Sequence, residues 1–115
     1  MKQLVNFNLK EQSMVIEAME SFRRSLRGVN RERFSLILDK INVGMKYYDS
    51  EEMIYISQSL HKYSKLLLLL KENPRIIRDF STLANRVEKL RERHQARNHP
   101  LKRKEAPTAA TVNAS

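Results

Sequence analysis

The feature that most constrains this chain is where its apolar periodicity breaks. Apolar residues recur at steps of three and four along most of the 115 residues, and the stripes stop and restart close to the two glycines and three prolines. Steps of three and four mark one face of a 3.6-residue helix, and breaks punctuated by caps, glycine and proline mark helix ends. The chain therefore reads as all-α.

Asn8 and Glu11 form a capping-box pattern, in which each side chain reaches the other's backbone amide. A first helix follows over about 9–27, with Val15, Met19, Phe22 and Leu26 on one stripe and Gly28 placed to end it. Leu4, Val5 and Phe7 before it alternate weakly and read as an extended lead-in packed on the helices, because a short strand without a partner has no ladder.

Asn30 is the expected cap of a second helix over about 31–48, carrying Phe34, Ile37, Leu38, Ile41, Met45 and Tyr48 on one face. Gly44 interrupts this segment, but the stripe stays in phase on both sides, so one helix is expected; the rival reading ends it near Val43. Asp49 and Glu52 open a third helix, about 50–72, with Met53, Ile56, Leu60, Tyr63, Leu67 and Leu70 as a heptad. Asn73 as cap and Pro74 at the first helical position open a fourth, about 74–97, because the amide that proline lacks would be unpaired there anyway. Its stripe is Ile76, Phe80, Leu83, Val87 and Leu90.

Short connections make consecutive helices antiparallel neighbours. The expected architecture is an antiparallel up-down four-helix bundle, or a pair of helical hairpins, in one domain over 1–98. Residues 99–115, with Pro100, Pro107 and a run of Ala, Thr, Ser and Asn, have too little apolar content to fold and are expected to form a disordered basic tail.

Composition narrows the chemistry. There is no cysteine, which excludes disulfides, thiolate metal sites and cysteine nucleophiles, and fits a reducing compartment, the cytoplasm by default. Residues Met1 to Leu9 lack the pattern of a secretory signal. The longest apolar run, Leu66 to Leu70, is far short of the roughly 20 residues that span a bilayer.

Two glycines do not make a phosphate loop, and no glutamate is followed at i+3 by a histidine, so the metal-binding pattern of helical bundles is missing. His61 has no acid at helical spacing, and His94 and His99 straddle the end of helix four. No catalytic residue, metal ligand, cofactor or small-molecule substrate is expected, and the chain is read as a non-enzyme.

Two surfaces remain. Five consecutive leucines cover every side of a helix, so the heptad absorbs Leu67 and Leu70 and leaves others facing elsewhere. They are either buried by further neighbours or part of a protein-partner or dimer interface centred on Tyr55, Lys62, Leu66 and Leu69.

The second surface is basic. The formal net charge is +9, and from Arg75 onward ten Lys or Arg face four acids, +6, against twelve and nine, +3, before it. On a helical wheel Arg75, Arg78, Arg86, Lys89, Arg93 and Arg97 lie within about 100°, and Lys102, Arg103 and Lys104 extend the charge into the tail. Such a row either is an ordinary solvated face or tracks phosphates. The leading expectation is a small helical interaction or regulatory protein that docks on a protein partner, with a homodimer as one form of it; the alternative is a nucleic-acid-associated protein using the basic row on helix four and the tail.

Overall fold

The computed structural model describes residues 2–97. They form two very short strands, β1 (Gln3–Leu4) and β2 (Tyr47–Tyr48), and four helices: α1 (Leu9–Arg23), α2 (Gly28–Asn42), α3 (Ser50–Leu69) and α4 (Pro74–Arg97). The expected tail, with His99, Lys102, Arg103 and Lys104, lies outside the described residues.

Both capping boxes form as expected. The Asn8 side chain accepts from the Glu11 amide at 2.8 Å while Glu11 accepts from the Asn8 amide at 3.0 Å. Asp49 and Glu52 exchange the same pair of bonds at 2.8 and 2.9 Å. The Asn73 side chain accepts from the Arg75 amide at 2.8 Å, directly ahead of α4.

Three helix ends differ from expectation. α1 stops at Arg23, where Ser25 and Leu26 donate to the carbonyls three residues back and tighten the last turn. Gly28, at φ +64°, opens α2 instead of closing α1, and the N-cap position is Arg27, not Asn30. α2 ends at Asn42. The Gly44 amide donates to the Ile41 carbonyl and the Met45 amide to that of Lys40, a Schellman closure that needs the left-handed φ of +79° that glycine supplies.

Beyond that closure the chain turns extended, so Met45 is exposed and Tyr48 enters β2 rather than a helix. The lead-in thus has the partner that sequence reasoning denied it: Gln3 pairs with Tyr48 and Leu4 with Tyr47, antiparallel, and the Val5 amide donates to the Lys46 carbonyl at 2.7 Å. α3 ends at Leu69 rather than near residue 72. Lys71 adopts φ +57°, and the amides of Lys71 and Glu72 return to the carbonyls of Leu68 and Leu67.

α3 is the central helix, packed against α4 on one side and α1 on the other, while α1 also packs on α2. Along the α3–α4 seam, Ser50, Ser57 and Ser64 recur every seven residues. They meet the Gln95 side chain at 3.0 Å, Glu88 at 3.2 Å and the Ile77 carbonyl at 3.3 Å. Partner numbers fall as the serine numbers rise, the pattern of an antiparallel pair.

The core is continuous from Val5 through Val15, Met19, Phe34, Ile41 and Tyr48 to Met53, Leu60, Phe80 and Val87. Burying each of the larger side chains contributes roughly 1.5–3 kcal/mol. Leu70 and Ile76, expected in the core stripes, are 62% and 42% exposed instead. Both lie past Leu67, the last buried residue of α3, where no other described element covers the hairpin.

Candidate docking surface

The exposed region starts where the core of α3 runs out. Every residue from Leu68 to Ile76 is exposed, nine in succession. Leu68, Leu69 and Leu70 are 64%, 79% and 62% exposed, and Leu66 joins them at 39%. At 100° per residue Leu66, Leu69 and Leu70 fall within about 100° of one another while Leu68 points to the opposite side, so the α3–α4 turn is an apolar tip with its weight on one face.

Charge around the tip has nearly one sign. Lys62, Lys65, Lys71, Arg75 and Arg78 are exposed around it, with Glu72 as the acid among them. The Lys62 ammonium also sits 4.2 Å from the centre of the Phe22 ring, a cation–π contact that holds its stem along α1.

Of the four residues expected at a partner interface, Leu66, Leu69 and Lys62 are exposed at this end of α3. Tyr55 is separate from them: it is half-buried, with its ring 5.8 Å from Phe34 at an interplanar angle of 78°. Leu68, Leu70 and Ile76 belong to the surface but were not singled out. The leucine run carried the signal for Leu68, whereas the in-phase spacing of Leu70 and Ile76 pointed them at the core.

The basic row of α4 is interrupted. Arg75, Arg78, Lys89 and Arg93 are exposed, and their side chains make no ion pair with a described residue. Arg86 is instead drawn to α1. Its guanidinium meets Glu11 at 2.6 and 3.3 Å, donates to the Asn6 carbonyl at 3.1 Å and lies over Phe7. α4 includes Arg97, the last described position of the row.

Arg86 and Arg78 also line a cleft of about 270 Å³ between the start of α1 and α4, together with Asn8, Lys10, Glu11 and Asp79. The cations there are matched by acids, Arg86 by Glu11 and Lys10 by Asp79 at 3.3 Å. A mixed lining of this kind does not select an anion.

Polar chemistry inside the α3–α4 seam is structural in form. The Ser57 hydroxyl points at Glu88 and at the Ile54 carbonyl, both at 3.2 Å. Arg91 grips Glu88 through Nε at 3.1 Å and a second nitrogen at 2.5 Å. That hydrogen bonding holds the Glu88 carboxyl below its ordinary range, with partial burial opposing it and His61 adding a smaller pull. His61 thus has an acid near it after all, supplied across the seam by α4. His94 is buried at 6% exposure. Among the described residues no group of three or more His, Cys, Asp or Glu could hold a metal ion, and no helix is long and apolar enough to cross a membrane. No protein family, curated protein or solved structure matches this chain.

Proposed function

We propose that this chain is a non-catalytic helical interaction protein, an antiparallel up-down bundle that regulates a protein partner by docking on it through the end of the α3–α4 hairpin. The observation that carries this reading is the unbroken exposure from Leu68 to Ile76, with leucines at its centre and a basic collar around them. Apolar side chains left in water at one place gain roughly 25 cal/mol for each Å² a partner covers, and exposed apolar patches on proteins mark contact sites. The collar sets the sign of the partner: an acidic rim around an apolar centre. It also disfavours self-association at the tip, where two collars of like charge would meet. A reducing compartment such as the cytoplasm suits a cysteine-free chain of this kind.

The second reading, nucleic-acid association, rests on Arg75, Arg78, Lys89 and Arg93, which stay exposed and unpaired among the described residues. The loss of Arg86 to Glu11 weakens it, because ten residues then separate Arg78 from Lys89 in the row.

One experiment separates the two. The protein is used as bait in extract from its native cells, with and without nuclease, beside Leu66→Glu/Leu69→Glu and Arg78→Glu/Arg93→Glu variants. A protein that is captured despite nuclease and lost with the leucine variant supports the docking reading. Capture abolished by nuclease or by the arginine variant alone overturns it in favour of nucleic acid.

A further inference from the structure

The outer face of α2 carries a second apolar line. Val29 and Leu36, with Val43 at the C-cap just past the last helical residue, are spaced seven residues apart on the side opposite the buried Phe34, Ile37, Leu38 and Ile41, and they are 71%, 64% and 78% exposed. Seven residues is almost two turns, so the three side chains form one ridge about 21 Å long. Nothing in the core stripe accounts for them.

Charge is divided across this ridge. Glu32 and Asp39 follow it along one flank, while Arg33 and Lys40 follow it along the other. A ridge flanked by one sign, like the tip, repels its own copy. A ridge with opposite signs on its two sides is self-complementary, provided the copies meet in the right orientation. With two parallel α2 helices related by a twofold along their length, the acidic flank of each faces the basic flank of the other. An antiparallel pair would set acid against acid and base against base.

We propose that this face binds a second copy of the chain, with the two α2 helices parallel, Leu36 against Leu36 at the centre, and Glu32 of each copy facing Arg33 of the other. Glu32 and Asp39 are exposed and make no ion pair with a described residue. Arg33 is bonded to Glu51 at 2.8 Å, but both side chains are about half exposed, so the guanidinium turns to a new carboxylate at little cost. Lys40 is held by the nearly buried Glu52, whose charge offsets its own, so Arg33 carries the basic flank. Three apolar side chains and one charge pair per side fall short of the area of a permanent dimer, so the association is weak, concentration-dependent and salt-sensitive. It presents two α3–α4 tips from one particle, which raises the avidity of docking without altering either tip.

Sedimentation equilibrium of the full chain from micromolar to millimolar concentration tests this, with helicity checked for each variant. The wild type is expected to show a monomer–dimer equilibrium. Leu36→Glu weakens it at least tenfold, and Glu32→Arg and Arg33→Glu each weaken it by a similar factor. Mixing Glu32→Arg with Arg33→Glu in equal amounts restores association as mixed dimers, because each reversed flank then meets its opposite. A wild type that stays monomeric at millimolar concentration overturns the proposal. So does a dimer that is indifferent to Leu36→Glu, one that is lost with Leu66→Glu/Leu69→Glu, or a mixture of the charge variants that gains nothing. The bait experiment on the tip is read separately, so either reading can fail alone.

Discussion

The Arg86 guanidinium lies 2.6 Å from the same Glu11 carboxylate that caps the first turn of α1, 75 residues away in the chain. One acid therefore closes a helix and anchors another. Removing the arginine breaks the tie between α1 and α4 and uncovers a partly buried carboxylate, whereas Arg78, about two turns earlier on the same cleft, makes no ion pair with a described residue. Arg86→Ala is expected to destabilise by about 1 kcal/mol, and Arg78→Ala to leave stability within about 0.5 kcal/mol. Urea midpoints at unchanged slope decide it, and equal effects would remove Arg86 from the structural account.

Gly44 and Lys71 occupy the same left-handed position in two Schellman closures, one with the residue that suits it and one without. A side chain there costs roughly 1–2 kcal/mol, partly offset by the extra freedom glycine has when unfolded. Gly44→Ala should lower stability by about 1 kcal/mol although open space surrounds its Cα. Lys71→Gly should raise stability by about 0.5–1 kcal/mol, and thermal melts of the two variants should move in opposite directions.

Glu88 links stability to acid. Its folded pKa lies below the ordinary 4.5, chiefly through the hydrogen bond from Arg91, so the folded state binds this proton less readily than the unfolded one. The stabilisation is present above about pH 4.5 and disappears as pH falls through the lowered folded value. Glu88→Gln should thus be less stable than wild type at pH 7, with the gap closing in acid. A gap independent of pH would assign the loss to packing.

Tyr48 and Tyr63 act at the other end of the scale. Burial, with Glu52 adding to it, pushes the Tyr48 phenol up to about 12, and burial together with the bond to Glu17 does the same for Tyr63. A raised folded pKa means that the neutral phenol is favoured by folding. Stability is full below the ordinary value of 10.0 and is lost as pH rises from there toward 12. Tyr63→Phe should flatten this alkaline limb, and so should Tyr48→Phe, which additionally loses the 2.5 Å bond to the Met45 carbonyl. Denaturation followed by circular dichroism between pH 9 and pH 12 reads both.

What could be read from sequence was whatever is decided locally. Asn8 with Glu11, Asp49 with Glu52, and Asn73 with Pro74 act within three or four residues, so their patterns carry the helix starts without reference to the rest of the fold. The end of α2 was misplaced because Ile41, Met45 and Tyr48 keep helical phase through Gly44, while the ladder that claims Tyr48 depends on Gln3 at the far end of the chain. Lys71 gives no residue-type hint of a left-handed turn. The site divides in the same way. Leu66 and Leu69 were legible from crowding in the leucine run, but the packing of Tyr55 on Phe34 and the capture of Arg86 by Glu11 depend on where helices cross.

The two-residue ladder is small, yet it changes how the molecule comes apart. The two hairpins, α1 with α2 and α3 with α4, already meet where α1 packs on α3 and where Arg86 reaches Glu11. β1 joins them: it is bonded to the strand between the pairs and also lies beside α4. Opening either hairpin strips that segment of its partners and exposes Val5 and Tyr48, both wholly buried. The ladder thus adds its tie to the shared core that makes the two halves one cooperative unit, whose amides share a common opening free energy instead of exchanging as two independent layers.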